Sequence, residues 1–136
     1  MATKFLLEIV TPEKTFFNGE VDMVVLRTTE GDMAIMYDHE QMVAPVAIGS
    51  VRVRMQGEEK FRDAACSGGF ITVTYDKTTV VTDSAEWADE IDLNRAKAAQ
   101  QRAQNRLERR DSELDYARAI DSLTRATNRI RVAEKN

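Results

Sequence analysis

The residues with the most evident chemistry in this chain are arginines, and they recur at helical spacing. Arg95, Arg102, Arg106 and Arg109 fall at i, i+7, i+11 and i+14, a single stripe on a helix of about 3.6 residues per turn. Arg118, Arg125 and Arg129 form a second stripe by the same rule. If the two stretches are helices folded back on each other, the start of the first lies beside the end of the second. Arg95 and Arg102 then come near Arg129 and Arg125. Several guanidinium forks converging without matching carboxylates suit a polyphosphate or an acidic protein surface. A solvated basic face has the same spacing, so the pattern alone leaves both readings open. Asp92, one turn before Arg95, either accepts a hydrogen bond from an exocyclic amine or simply caps the helix.

The elements that must position these arginines follow from the rest of the tail. From Ile91 to Arg131 there is no glycine or proline and one aromatic residue, Tyr116. Ala96, Ala99, Ala103 and Leu107 line one face of the first helix, and Tyr116, Ala119, Ile120, Leu123, Ala126 and Ile130 line a face of the second. Arg109-Arg110-Asp111-Ser112 is the expected bend, with Asp111 or Ser112 capping the second helix ahead of the acidic pair Glu113 and Asp115. An alanine-rich face against a larger aliphatic one allows close antiparallel packing but buries little area, about 1 kcal/mol per alanine pair. Such a hairpin is readily repacked, as a switch requires. A rigid helical cap on the domain before it fits the same pattern.

Before Ile91 the chain reads as short strands and turns. Phe5–Val10, Thr15–Phe17, Asp22–Thr29, Met33–Met36, Met42–Ile48, Val51–Met55, Phe61–Ser67, Phe70–Tyr75 and Thr78–Asp83 carry strand patterns. Asn18-Gly19 reads as a hairpin turn, Gly49-Ser50 as a turn, Gly68-Gly69 as a strand break, and Pro45 as an edge or bulge marker. Val51-Arg52-Val53-Arg54-Met55 alternates most cleanly, with one face in a core and the other in water. Nine or ten short strands at regular spacing predict a β-sandwich or barrel. Cys66, the single cysteine, reads as a buried strand residue and forms no internal disulfide.

Composition narrows the function. Hydrophobic residues make up 43% and charged residues 31%, suiting a soluble globular protein. No apolar run approaches the roughly 18–20 residues that a membrane span requires. Met1-Ala2-Thr3-Lys4 carries no signal or transit character. The net charge of −4 conceals an asymmetry: residues 1–91 carry 8 Lys+Arg against 16 Asp+Glu, and residues 92–136 carry 11 against 7. An acidic body with a basic tail favours docking of the tail on an acidic surface or a polyphosphate, and weighs against a dedicated nucleic-acid binder. His39 is the one histidine, so a His-based metal site or catalytic triad would rest on it alone. There is no glycine-rich phosphate loop, and the acidic residues are scattered over turns rather than paired. No catalytic activity is expected.

In its motifs the chain resembles the epsilon subunit of bacterial F-type ATP synthase along essentially its whole length. The resemblance is carried by Val10-Thr11-Pro12-Glu13, Phe17-Asn18-Gly19-Glu20-Val21-Asp22, Thr29-Glu30-Gly31-Asp32-Met33, Gly49-Ser50-Val51-Arg52-Val53, Ser67-Gly68-Gly69-Phe70, Thr79-Val80-Val81-Thr82-Asp83-Ser84-Ala85-Glu86 and Glu90-Ile91-Asp92-Leu93-Asn94-Arg95-Ala96, in that order. Two stretches depart from the family pattern. Ala34-Ile35-Met36-Tyr37-Asp38-His39 stands where the family usually has a Gly-Ile-Leu-Pro-Gly-His type sequence, and Arg27 stands where a proline is common.

The resemblance implies a β + α chain: an N-terminal ten-stranded β-sandwich over residues 1–86, binding the rotor, and a C-terminal antiparallel two-helix hairpin over residues 87–136. It implies a non-catalytic subunit on the rotor stalk between the gamma subunit and the c-ring, peripheral to the cytoplasmic face of the bacterial cell membrane, with no catalytic cofactor. In some members the folded hairpin binds ATP as a regulatory ligand. When ATP is scarce it extends along gamma toward the α/β subunits and blocks hydrolysis. The family's ATP-binding positions match Glu86, Ile91, Asp92, Arg95, Ala96, Arg102, Arg125 and Arg129, and its rotor-contacting positions match Asp32 and His39. Two alternatives stand beside this reading: a purely structural rotor subunit whose hairpin is fixed, and a nucleic-acid-binding module using the basic hairpin.

Overall fold

Alternating apolar side chains build the first part of this computed structural model, which describes residues 3–135. Met1 and Ala2, half of the N-terminal tetrapeptide read above, and Asn136, the end of the expected second domain, lie outside the described residues. The strands are β1 (Phe5–Val10), β2 (Thr15–Thr28), β3 (Gly31–Met36), β4 (Met42–Met55), β5 (Arg62–Val73), β6 (Thr78–Thr82) and β7 (Ala85–Trp87). They pair in the order β1-β6-β5-β4-β2-β3, and a further β1–β2 pairing closes β1, β6, β5, β4 and β2 into a five-stranded barrel. β3 continues outward from β2, and β7 pairs with β5. Among the described residues the β1–β6 pairing alone is parallel.

The described residues thus contain seven strands, not the ten expected. Three of them are long, and each serves more than one pairing along its length. β2 pairs with β1 through Thr15–Val21 and with β3 and β4 beyond it. β4 pairs with β5 alone up to Pro45, with both β5 and β2 at Val46 and again through Val51–Val53, and with β2 alone at Arg54 and Met55. β5 changes neighbours from β7 to β6 across Gly68-Gly69. The three glycine-containing dipeptides read as turns or breaks, Asn18-Gly19, Gly49-Ser50 and Gly68-Gly69, all lie inside these continuous strands. Turn propensity is local, and long-range ladder bonds override it. Pro45 does fall where β4 has a neighbour on one side only, as its missing N–H demands.

The core follows from the period-2 pattern. Leu7 and Ile9 of β1, Val21, Val24 and Leu26 of β2, Val51 and Val53 of β4, Ile71 of β5 and Val80 of β6 are all buried. Arg52 and Arg54 occupy the opposite face of β4. Phe16 and Phe17 pack on the Trp87 ring at centroid distances of 4.7 and 6.0 Å, with the Arg62 guanidinium 3.9 Å from the same ring. Cys66 is buried, and its thiol donates to Thr82 Oγ1 at 3.0 Å. Burial in apolar surroundings pushes its pKa up.

Gly68 and Gly69 have φ of +95° and +141°, a region that side-chain-bearing residues rarely adopt. At Gly69 a Cβ would overlap the Val81 carbonyl of the adjoining strand. The close approach of β6 to β5 therefore requires glycine here. Gly57, with φ of +79°, has open space around it.

A second unit begins at Ala88. It comprises a 3₁₀ turn (Ala88–Glu90), α1 (Leu93–Arg109) and α2 (Glu113–Lys135). Ala96 and Ala103 of α1 and Ala119 and Ala126 of α2 are buried, so the two helices pack through small side chains. α1 ends at Arg110, whose φ of 49° is left-handed and whose N–H donates to the Arg106 carbonyl. Its guanidinium lies 4.3 Å from the Tyr116 ring centroid. Ser112, rather than Asp111, caps α2: its Oγ accepts from the Asp115 N–H at 3.1 Å.

Replacing Gly69 with alanine is expected to destabilise the β unit by about 3 kcal/mol or more, since left-handed strain and backbone overlap coincide. Gly57→Ala should cost only about 1 kcal/mol. Urea titration followed by tryptophan fluorescence, with Trp87 as the sole reporter, measures both.

Candidate functional site

The site is set up by one polar contact across the helix seam. Gln100 Nε2 of α1 donates to Thr127 Oγ1 of α2 at 3.2 Å. This bond fixes the antiparallel register, so that residue 102 lies level with residue 125 and residue 98 with residue 129. It also fixes which flanks adjoin. On α1, Gln100 sits to one side of the buried Ala96–Ala103 line, and Arg95, Arg102, Arg106 and Arg109 sit to the other. On α2, Thr127 and the arginines Arg118, Arg125 and Arg129 divide about the Ala119–Ala126 line in the same way. Reversing the direction of one helix keeps like flanks together, so all the arginines border the side of the seam opposite Gln100 and Thr127.

Arg95, Arg102 and Arg125 are exposed, and Arg129 is half-buried. Arg125 Nη2 reaches Ser122 Oγ at 3.4 Å. Arg109 has Asp111 at 3.9 Å across the turn. Ion pairs to Arg95, Arg102 and Arg125 are absent among the described residues. The flank therefore offers guanidinium donors that the helical unit itself does not neutralise, as an anionic ligand requires.

At the start of α1, Asp92 adopts extended geometry, and its Oδ1 accepts the Arg95 N–H at 3.1 Å. Its second carboxylate oxygen and remaining lone pairs stay available for another donor. The Ala96 N–H closes the first turn onto the Asp92 carbonyl at 3.0 Å, and the Ile91 N–H reaches the Ala88 carbonyl at 3.4 Å. Ile91 is half-buried and Ala96 fully buried, so Ile91 and Ala96 shape the first turn while Asp92 and Arg95 present polar groups. Glu86 belongs to the β unit, half-buried on β7 opposite Ala65.

The two rotor-interface positions occupy opposite ends of β3, separated by about 13 Å of strand. Asp32 opens the strand and accepts from Arg27 Nε at 2.6 Å. His39 lies beyond its end, half-buried, with Nδ1 2.9 Å from the Glu40 carbonyl, which calls for the Nδ1–H tautomer. The Arg27–Asp32 pair was not expected from sequence. A signal for it existed: the two residues face each other across a tight turn through Thr28-Thr29-Glu30-Gly31. The Arg110–Tyr116 stack was equally missed, because a left-handed arginine at a helix end has no periodic signature.

Known proteins resemble this chain in sequence and fold. Residues 4–88 match the family model described as the ATP synthase, Delta/Epsilon chain, beta-sandwich domain. Residues 89–134 match that described as the ATP synthase, Delta/Epsilon chain, long alpha-helix domain. The chain is 48% identical over 130 residues to the ATP synthase epsilon chain of Alkaliphilus metalliredigens, covering 96% of each. This chain is a member of the ATP synthase epsilon-chain family. The epsilon chain of Caldicellulosiruptor bescii is 42% identical over 133 residues, covering 98% of this chain and 96% of that one. Among solved structures, a chain of the Euglena gracilis mitochondrial ATP synthase (OSCP/F1/c-ring) superposes with a TM-score of 0.83 at 22% identity, over 100% of this chain and 84% of that chain. That likeness concerns the fold. The seven strands and the helix pair are thus the epsilon-chain architecture, in which the arginine flank lies wholly on the helical part.

Asp92→Ala removes the side-chain acceptor at the head of α1. It is expected to cost about 1 kcal/mol of helix stability, read as an earlier loss of far-UV circular dichroism in a urea titration, whereas Asp92→Asn should retain most of it.

Proposed function

We propose that this epsilon chain is a non-catalytic central-stalk subunit of an F-type ATP synthase, coupling gamma to the c-ring, and that its hairpin binds ATP and regulates hydrolysis. The observation that carries the ATP reading is the Gln100–Thr127 bond, because the register it fixes gathers Arg95, Arg102, Arg125 and Arg129 on one flank. A triphosphate suits such a donor set, and Asp92 retains acceptor capacity for an adenine amine. Ile91 and Ala96 complete the helical part of the proposed site by family position, and the ATP-binding family position matched by Glu86 lies on β7 of the β unit.

The energetics follow from linkage. The arginines repel one another in the folded hairpin, and a bound polyanion offsets that repulsion. A ligand that binds the folded hairpin better than the extended one stabilises it by mass action, by about 2.7 kcal/mol at a hundredfold excess over Kd. At low ATP this support is lost, and the extended form, reaching along gamma toward the α/β subunits, blocks hydrolysis. In the β unit Asp32 and His39 face the rotor. Among the described residues no helix is long and apolar enough to cross a membrane. The proposed placement is peripheral, at the cytoplasmic face of the bacterial cell membrane, through the complex.

Equilibrium dialysis of the full chain against ATP tests the sensing role. Saturable binding is expected, weakened by about a hundredfold in the Arg95→Ala, Arg125→Ala double variant, which removes two charge-assisted contacts. Binding that is absent, or unchanged in that variant, would leave a structural subunit with a fixed hairpin. Binding of single-stranded DNA that falls steeply with salt and survives in the double variant would instead favour the nucleic-acid reading.

A further inference from the structure

The turn between the two helices is made of residues that do not themselves demand a turn. Glu108-Arg109-Arg110-Asp111-Ser112-Glu113 contains neither glycine nor proline, the residues that make a helix end permanent. Yet α1 stops at Arg110, whose backbone is left-handed at φ 49° and ψ 51°. That conformation is ordinary for glycine and unfavourable for a residue with a Cβ. Nothing in the covalent chain prevents residues 110–112 from continuing as helix, and arginine is a good helix former.

Side-chain contacts hold the reversal with unequal force. Arg109 Nε lies 3.9 Å from Asp111 Oδ2 with both side chains exposed, where an ion pair contributes little. Ser112 Oγ accepts the Asp115 N–H at 3.1 Å, a bond that a continuous helix would replace with a main-chain one. The Arg110 guanidinium carbon stands 4.3 Å from the ring centroid of Tyr116, which is half-buried. This last contact depends on the chain folding back. In a continuous helix, residues six apart are rotated by about 240° and separated by about 9 Å along the axis. Guanidinium and ring would then leave the helix on different sides. The stack belongs to the folded hairpin and is broken when the turn straightens.

We infer that the Arg110–Tyr116 stack is a clasp: it offsets the left-handed cost of the turn and keeps the folded hairpin populated before any nucleotide binds. It thereby sets the ATP concentration at which the chain responds. The inference rests on the regulatory reading above and adds a residue pair outside the proposed ATP site. Two opposed effects meet at one residue. The left-handed backbone of Arg110 favours straightening by about fivefold, and its guanidinium over the Tyr116 ring favours reversal by about threefold. Without the stack the turn favours the straight form. With it the turn is close to neutral, so a ligand that binds one form better decides the outcome.

The test reads hydrogen exchange of the α1 amides in the full chain without ATP, since packing on α2 slows their opening. Trp87 fluorescence verifies that the β unit of each variant is folded. Tyr116→Leu, which keeps apolar packing, is expected to raise the exchange rate about threefold, and Arg110→Ala by at least as much. The variant carrying both should exchange no faster than the faster single one, because each removes the same contact. Tyr116→Phe, which keeps the ring, should match the parent. Adding Arg110→Gly to Tyr116→Leu should slow exchange about fivefold, since glycine accepts the left-handed turn and resists helix. In synthase reconstituted with the Tyr116→Leu chain, inhibition of hydrolysis should persist to about threefold higher ATP. Single variants that exchange at the parent rate, or whose effects add in the double variant, would overturn the clasp while leaving ATP binding intact. Faster exchange with an unchanged ATP dependence of inhibition would overturn the set-point. A parent chain whose inhibition ignores ATP would overturn the regulatory reading, while exchange still decides the clasp.

Discussion

The close approach of two helices through alanine decides most of what the helical unit can do. Ala96 and Ala103 of α1 and Ala119 and Ala126 of α2 are the buried alanines of the pair, and small side chains there let the helices approach and bring the two flanks of the seam close to each other. One flank is tied by Gln100 and Thr127, and the other is left to cations. Larger residues at the alanine positions would spread the flanks and separate the arginines. The small side chains thus set how far apart the arginines of the two helices stand. They also limit the stability of the pair, because little apolar area is removed from water.

The β unit meets a different constraint. Its barrel closes because β2, β4 and β5 are long enough to exchange one set of neighbours for another without interruption. The Gly68-Gly69 pair lets β5 turn beneath β6, where a Cβ would strike the Val81 carbonyl. At Gly49 the constraint comes from a side chain: a Cβ would stand 2.7 Å from Cβ of Arg27. The Arg27 stem thus passes beside β4 at Gly49, while its Nε donates to Asp32 on the other neighbouring strand, β3. A glycine on one strand and an ion pair on the next are one arrangement.

Much of this was legible in the sequence, and the parts that were not share a physical cause. Periodicity exposed the arginine stripes and the alanine seam, because a helix is a local structure whose period is written in consecutive residues. The Asp92 cap and the inward Val51 and Val53 were equally local. The strand count came out too high because Asn18-Gly19, Gly49-Ser50 and Gly68-Gly69 carry turn chemistry, while the ladder bonds that keep the chain extended there come from residues far away in sequence. The pairs Arg27–Asp32 and Arg52–Asp63 depend on strand register, which composition does not encode.

One consequence concerns how this chain can be handled. Its single sulfur nucleophile, Cys66, is sealed in the core and held as the neutral thiol. A cysteine introduced at any exposed position therefore becomes the one site at which a dye, spin label or crosslinker attaches, with no need to remove the native residue first. Pairs of labels on α1 and α2 can then report the separation of the helices in the otherwise unaltered chain.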